Sequence, residues 1–300
     1  MTDVTVIGTG VIGSAVARAC ARSGLEVSVW NRTRERSDVL VEEGIHSHAT
    51  AADAVAASPI VLMCLLNYDI THQVIDEAAP NFSGRLVVQN ASGTPENVTP
   101  LRGRVEAGGG AYMEAAILNY PDAIGTEDCF TVYGGAVEDF ERLKSVTSAL
   151  GGRQAYLGAD PAYVKAYHVV SSAFYYAFIN GFLECSAIAE AMGVPLADFA
   201  ESVPLYDPGF QNTIEVGLDL IDRGDYTYEQ APLTSHLDVL DNLTRIAEQA
   251  GIDRSYLGVM RERVREAMDR GYRREHIAVL TTWFRDRRES SAGRVPVGGG

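Results

Sequence analysis

The first half of the chain alternates short apolar runs with stretches of helical periodicity. Runs that are apolar at every position indicate strands buried on both faces, as in a parallel sheet covered by helices. The alternation therefore predicts an α/β domain with a doubly wound, mostly parallel sheet over residues 1–161. The predicted strands cover 4–8, 26–30, 59–66, 86–90, 111–117 and 129–135, and the clearest helices cover 11–23 and 137–149.

From residue 161 onward the strand pattern stops and helical periodicity dominates. The segment 162–192 is more than twice as long as an average helix and is interrupted only by Gly181. We expect it to form an interdomain helix or an oligomer interface, followed by an all-α domain over 193–289. The tail 290–300 lacks a periodic apolar face, which predicts disorder. The later helices are predicted at 196–202, 209–223, 232–250, 254–271 and 274–286.

Composition narrows the choice of partners. The chain carries 40 acidic and 25 basic residues, a net charge of −15, which argues against binding nucleic acid or an anionic membrane. Its four cysteines are far apart and form no CxxC pair, so we expect free thiols in a reducing cytoplasm. No apolar run reaches ~18 residues and no signal peptide is visible. The six histidines show no metal-ligand spacing, so no metal is predicted.

The first predicted strand runs directly into Gly-x-Gly-x-x-Gly, formed by Gly8, Gly10 and Gly13, and a helix follows. In this context the glycines are typical of a dinucleotide-binding turn, with the pyrophosphate held at the helix N-terminus. Val11 and Ile12, at the helix start, are expected to contact the cofactor. A glycine-rich turn of another α/β protein is the alternative.

The residues after the second strand indicate which dinucleotide binds. NAD enzymes usually carry Asp or Glu here, about 20 residues past the glycines, to bind the ribose 2′-hydroxyl. This chain has Asn31, Arg32 and Thr33, with Arg36 further on, which favours the 2′-phosphate of NADP(H). The alternative is that these arginines form a solvated helix start. Leu65 and Ser92, near the ends of later strands, complete the predicted cofactor site.

Several motifs in order give the chain a specific resemblance. Asn-Arg-Thr at 31–33 is followed by Ser-Gly-Thr-Pro at 92–95, Ile-x-x-x-Pro-x-x-Ile-Gly at 117–125 and Asn-Gly-Phe-Leu at 180–183. Together they resemble the NADPH-dependent imine reductases and reductive aminases of the β-hydroxyacid dehydrogenase superfamily, over about residues 3–286. The resemblance implies a homodimer whose helical domains intertwine, with the active site at the dimer interface.

The resemblance also implies a catalytic position on the long helix. Hydroxyacid dehydrogenases carry a lysine there and imine reductases usually carry Asp or Tyr, whereas this chain has His168. An imidazole can donate a proton near neutral pH, but an imidazolium would repel an iminium, so a neutral hydrogen-bonding role is also open. A histidine that only packs in the core is the alternative. Lys165 would need a register shift to replace the dehydrogenase lysine, and Tyr167 lies about 100° round the helix.

Substrate contacts are predicted on the same helix and around it. Ordinary core packing is the alternative for the aromatic and apolar members of this set. The predicted pocket residues are Thr94, Ser172, Tyr175 and Tyr176, with His236 and Leu240 contributed by the partner chain.

These patterns lead to one functional expectation and two alternatives. We expect NADPH-dependent reduction of C=N bonds, with reductive amination left open. The first alternative is an NADP-dependent reductase of carbonyls or hydroxy acids, and the second is a protein that binds NADPH without catalysis.

Overall fold

A computed structural model describes residues 1–78, 81–228, 230–252 and 255–291. The chain divides into two compact units, residues 1–174 and the residues from 175 on. From residue 292 on, the tail predicted over 290–300 lies outside the described residues. Within them, no helix is long and apolar enough to cross a membrane.

The first unit is built on one sheet of eight strands in the order β3-β2-β1-β4-β5-β6-β7-β8. All neighbouring strands pair in parallel except β6 and β7, which are antiparallel. This confirms the predicted doubly wound, mostly parallel fold. The strands are β1 Val4–Ile7, β2 Val27–Trp30, β3 His46–Ser47, β4 Ile60–Met63, β5 Leu86–Gln89, β6 Ala111–Ile117, β7 Phe130–Gly135 and β8 Arg153–Tyr156.

Helices follow most strands, and successive side chains of a central strand enter two different apolar cores. Ile60 and Leu62 of β4 belong to one core, and Val61 and Met63 belong to the other, because strand side chains alternate between faces. Burial on both faces explains why the central strands are continuous apolar runs. The helices are α1 Val11–Arg22, α2 Arg34–Val41, α3 Ala51–Ala57, α4 Tyr68–Ala78, α5 Pro95–Ala107, α6 Val137–Arg142, α7 Lys144–Leu150 and α8 Pro161–Met192.

Three local features of this unit differ from the predictions. Strands β3 and β8 were not predicted, because β3 has two residues and the partly exposed edge strand β8 lacks an apolar run. The single helix predicted over 137–149 is wrong. It divides at Leu143, whose N–H donates to the Phe140 carbonyl oxygen at 3.0 Å and tightens the end of α6.

The second unit is helical, as predicted. After the C-terminal part of α8 come α9 Leu196–Ser202, α10 Asp207–Arg223, α11 Leu233–Gln249, α12 Tyr256–Asp269 and α13 Leu280–Ser291. Short 3-10 helices cover Pro121–Ala123 in the first unit and Val203–Tyr206 and Ile277–Val279 in the second. The core includes Leu220 of α10, Leu233 and Ala247 of α11, and Val264 of α12.

The start predicted for the last helix, at residue 274, is wrong. Glu275 and His276 are extended and form isolated antiparallel bridges with Thr227 and Pro232. The N–H of His276 donates to the Tyr226 carbonyl oxygen at 2.9 Å, so it is used in a loop contact. Helix α13 therefore begins only at Leu280.

Candidate active site

A cleft of about 530 Å³ lies in the first unit at the carboxyl ends of its central strands. The loop after β1, the loop after β2, the ends of β4, β5 and β6, and the first turns of α8 contribute its walls. The cleft includes His168 and every residue predicted to bind the cofactor. Those residues are Gly8, Gly10, Val11, Ile12, Gly13, Asn31, Arg32, Thr33, Arg36, Leu65 and Ser92.

The glycine loop is shaped by close backbone contacts. Gly8 has φ +96°, and a Cβ there would lie 2.5 Å from the Cys64 carbonyl oxygen. A Cβ on Gly13 would lie 1.9 Å from the Gly8 carbonyl oxygen, so only glycine lets α1 approach the loop. At Gly10, by contrast, a Cβ would meet nothing within 4 Å. Because Gly10 lines the cleft, its missing side chain leaves room for a ligand beside the N-terminus of α1.

Asn31 connects the glycine loop to the loop after β2. Its Oδ1 accepts the Thr9 N–H at 3.1 Å, and its Nδ2 donates to the Thr33 carbonyl oxygen at 2.8 Å. The Thr9 hydroxyl is buried and has no hydrogen-bond partner among the described residues. A neutral amide thus occupies the position where an NAD enzyme usually carries a carboxylate.

The arginines after β2 do not behave alike. Arg32 and Arg36 are exposed and line the cleft. Arg34 is not among the lining residues, and its Nε lies 3.5 Å from Asp38 Oδ1. Two guanidinium groups beside a neutral Asn31 suit a phosphate on the ribose 2′-oxygen. Together with the open space at Gly10, these residues fit a dinucleotide that carries a 2′-phosphate.

His168 lies on α8 and is half-buried at the cleft. Burial lowers its pKa below the ordinary value, and the positive charge of Lys165 lowers it further. The neutral form of the imidazole therefore predominates at pH 7. Lys165 lies three residues earlier, about one helical turn away, and also lines the cleft.

A buried charged cluster, which we call the Glu114 cluster, lies behind this part of the cleft. Lys165 Nζ is 2.8 Å from Glu114 Oε2 and donates to the carbonyl oxygens of Ala91 at 2.9 Å and Ala115 at 3.2 Å. The hydroxyls of Tyr68 and Tyr112 donate to Glu114 Oε1. Burial raises the pKa of Glu114, whereas Lys165 and the two hydroxyls oppose that rise. This cluster was not predicted from the sequence.

The Glu114 cluster bears on the alternative of carbonyl chemistry. A lysine that serves a substrate carbonyl must present its ammonium to the ligand. The Lys165 side chain is 1% exposed, and its ammonium already has three oxygen partners. Its position and contacts therefore do not reproduce the role of the dehydrogenase lysine.

None of the residues predicted to contact the substrate lines this cleft. Thr94 and Ser172 are in the first unit but are not among the cleft residues; Thr94 precedes α5 and its N–H donates to Asn97 Oδ1 at 2.9 Å. The substrate roles of the whole set stay predictions. In the second unit, Tyr175 and Tyr176 form an edge-on ring pair at 6.0 Å, His236 is half-buried, and Leu240 belongs to the core.

Comparisons with known proteins agree with this geometry. The strand order and glycine loop define a dinucleotide-binding dehydrogenase domain, and the family model for the NAD binding domain of 6-phosphogluconate dehydrogenase matches residues 3–158. A second family model, the NADPH-dependent reductive aminase-like C-terminal domain, matches residues 160–286. The chain belongs to the family of imine reductases and reductive aminases.

Individual relatives match over nearly the full length. An imine reductase from Myxococcus stipitatus, solved in complex with NADP+, is 30% identical with a TM-score of 0.87 and covers 94% of this chain and 99% of its own. A reductive aminase from Aspergillus terreus, solved with NADPH and ethyl levulinate, is 27% identical with a TM-score of 0.89 and coverage of 95% and 99%. The NADPH-dependent reductive aminase of Aspergillus oryzae is 25% identical over 289 residues, which are 94% of this chain and 97% of that protein.

The different positions of Arg32 and Arg34 predict cofactor selectivity. Replacing Arg32 with alanine removes charge-assisted hydrogen bonds to a 2′-phosphate, so the Kd for NADPH should rise roughly ten- to hundredfold. The Kd for NADH should stay nearly unchanged, as measured by fluorescence titration. Arg34→Ala is the matched control and should leave both constants near those of the unmodified protein. An equal loss for NADH and NADPH with Arg32→Ala would contradict the assignment.

Proposed function

We propose that the protein reduces the C=N bond of imines or iminium ions to amines, with NADPH as the hydride source. The observation that carries this proposal is that His168 lies in the same cleft as all residues predicted to bind the cofactor. Family membership and relatives solved with NADPH or NADP+ support the same chemistry. Reductive amination, in which amine and carbonyl first condense, is the extended form of the same reaction.

Each part of the cleft has a proposed task. Bound NADPH supplies a hydride from C4 of its nicotinamide. The backbone N–H groups at the start of α1 bind the pyrophosphate, and Gly10 leaves the space for it. Arg32 and Arg36 bind the 2′-phosphate, while Leu65 and Ser92 line the cleft at the ends of β4 and β5.

His168 is proposed to act on the nitrogen of the substrate. Reduction of an imine adds a hydride to carbon and a proton to nitrogen, whereas an iminium already carries that proton. Because the imidazole is neutral at pH 7, it does not repel a cationic iminium and can accept a hydrogen bond from its N–H. Because the ring is neutral, it adds no further charge beside the substrate and the cofactor in the transition state.

The working form is proposed to be a cytoplasmic homodimer. In this view residues 1–161 bind NADPH, 162–192 form the interdomain helix, and 193–289 carry the dimer and substrate surfaces. The support is the apolar surface that a single chain leaves exposed on α8, where Tyr176 is 69% and Leu183 60% exposed. The four cysteines are unpaired, as expected in a reducing compartment.

Turnover with simple substrates tests the reaction. With NADPH, the protein should reduce cyclic imines such as pyrrolines and dihydroisoquinolines. The reaction is measured by the loss of absorbance at 340 nm and by detection of the amine. The matching ketones and hydroxy acids, tested without amine, should react far more slowly because the lysine of that chemistry is absent from position 168. Clear carbonyl reduction with no turnover across a broad imine panel would reject the proposal.

His168 is tested by replacement with phenylalanine. Removing a group that bonds the reacting nitrogen should lower kcat for imines roughly a hundredfold, while the Kd for NADPH changes little. Tyr167→Phe changes the neighbouring residue on a different side of the helix and should retain kcat. A His168→Phe variant with unchanged kcat would leave His168 a packing residue only.

The dimer is tested by placing a charge on α8. Phe178 is 53% exposed in the single chain, and Phe178→Glu should convert the dimer to a monomer in size-exclusion chromatography with light scattering. Imine turnover should fall with it, because the resemblance implies a site shared between subunits. Val137→Glu, at a valine that is 49% exposed in the first unit, should remain dimeric. A monomeric parent protein would contradict the proposal directly.

A further inference from the structure

The chain contains two lysines, and they have opposite environments. Lys144 is exposed on α7, whereas Lys165 is fully buried and paired with Glu114. Removing two charges from water is costly, and a buried ion pair is often no more stabilising than apolar residues of similar size. Stability alone therefore gives a weak reason for placing an ammonium and a carboxylate behind the cleft.

The contacts of Lys165 join three segments that form the cleft. Its carbonyl acceptors are Ala91, just after β5, and Ala115 on β6, and its carboxylate partner Glu114 is also on β6. Residues three apart on a helix lie on the same face, and both Lys165 and His168 line the cleft. The ammonium thus fixes the helical turn that carries His168 to the strand ends where the cofactor residues lie.

Lys165, next to His168 on the helix, and the groups around Lys165 come from several elements. Lys165 is the cation and lies on α8, and Glu114 is its anionic partner on β6. The hydroxyls that donate to Glu114 are neutral and belong to Tyr68 of α4 and Tyr112 of β6. Among these, the Lys165 ammonium opposes a second positive charge on the half-buried imidazole, and both burial and Lys165 lower the pKa of His168. The remaining titratable cleft residues are Arg32, Arg36, Cys64 and Glu77.

Building on the proposed function, we propose that Lys165 is a positioning residue for His168. Held by Glu114 and two backbone carbonyl oxygens, it fixes the first turns of α8 and keeps the imidazole neutral, so that a cationic iminium can bind beside it. The preferred substrates are then iminium ions, including those with no N–H. Lys165 acts only through His168 and does not contact the substrate.

The first measurement follows the His168 imidazole itself. The NADP+-bound protein, labelled at histidine, is titrated by NMR, and the His168 signal is identified by its absence in His168→Phe. Lys165→Met should move the midpoint up by about one pH unit, because a nearby positive charge is lost. Glu114→Gln/Lys165→Met leaves no unpaired buried carboxylate and should also move it up, because Lys165 and not Glu114 lowers the pKa of His168. Lys144→Met, which removes the exposed lysine, should leave the midpoint unchanged.

The second measurement uses a substrate that cannot titrate. Hydride transfer to N-methyl-3,4-dihydroisoquinolinium forms a C–H bond, converts the C=N π pair to a nitrogen lone pair, oxidises NADPH to NADP+ and consumes no proton. The fall of kcat/KM on the acid side of the pH profile, the acid limb, then reports titration of a group on the enzyme, because activity falls as His168 becomes cationic. In the parent protein this limb should lie below pH ~6.5, and in both Lys165 variants it should move to higher pH.

The outcomes separate this proposal from the proposed function. An unchanged His168 midpoint in the double variant would overturn the role of Lys165, even if the single variant fails to fold. A midpoint that moves while the acid limb stays in place would overturn the link to iminium binding. If no iminium is reduced by any form, the proposed function fails, and the NMR titration still decides whether Lys165 controls the charge of His168.

Discussion

The close contact between α1 and the loop after β1 determines how the first unit can bind a ligand. Gly13 lies so near the Gly8 carbonyl oxygen that a Cβ would be 1.9 Å away, so the helix and loop backbones touch. This contact directs the N-terminus of α1 toward the cleft. Asn31 then joins the loop after β2 to the same turn through the Thr9 N–H. Backbone contacts thus fix the start of α1 and the loop after β2, which limits the ordering cost of binding a ligand there.

A second constraint is the burial of charge in the Glu114 cluster. Once Glu114 is placed in the middle of an apolar strand, it requires a cation and hydrogen-bond donors, because an unpaired buried carboxylate is costly. Lys165 supplies the cation, and the Tyr68 and Tyr112 hydroxyls supply donors. The cluster therefore joins β6 to the start of α8. Through Lys165 it also affects the charge state of His168.

The sequence was sufficient to predict the parts of this structure that depend on local pattern. The central strands are continuous apolar runs, and the residues predicted to bind the cofactor follow strand ends, which meet at one edge of a parallel sheet. The Glu114 cluster was not predicted, because its members come from four separate segments and only the fold brings them together. Edge strand β8 and the late start of α13 were missed because tertiary pairing, not local pattern, fixes them.

A histidine at position 168, where imine reductases usually carry Asp or Tyr, fits the charges of the neighbouring residues. An aspartate at this position would attract an iminium, but Lys165 one turn away would oppose part of that attraction. A neutral imidazole, by contrast, adds no second positive charge beside the Lys165 ammonium. The histidine and the buried lysine are therefore best understood as one unit, in which each determines what the other can do.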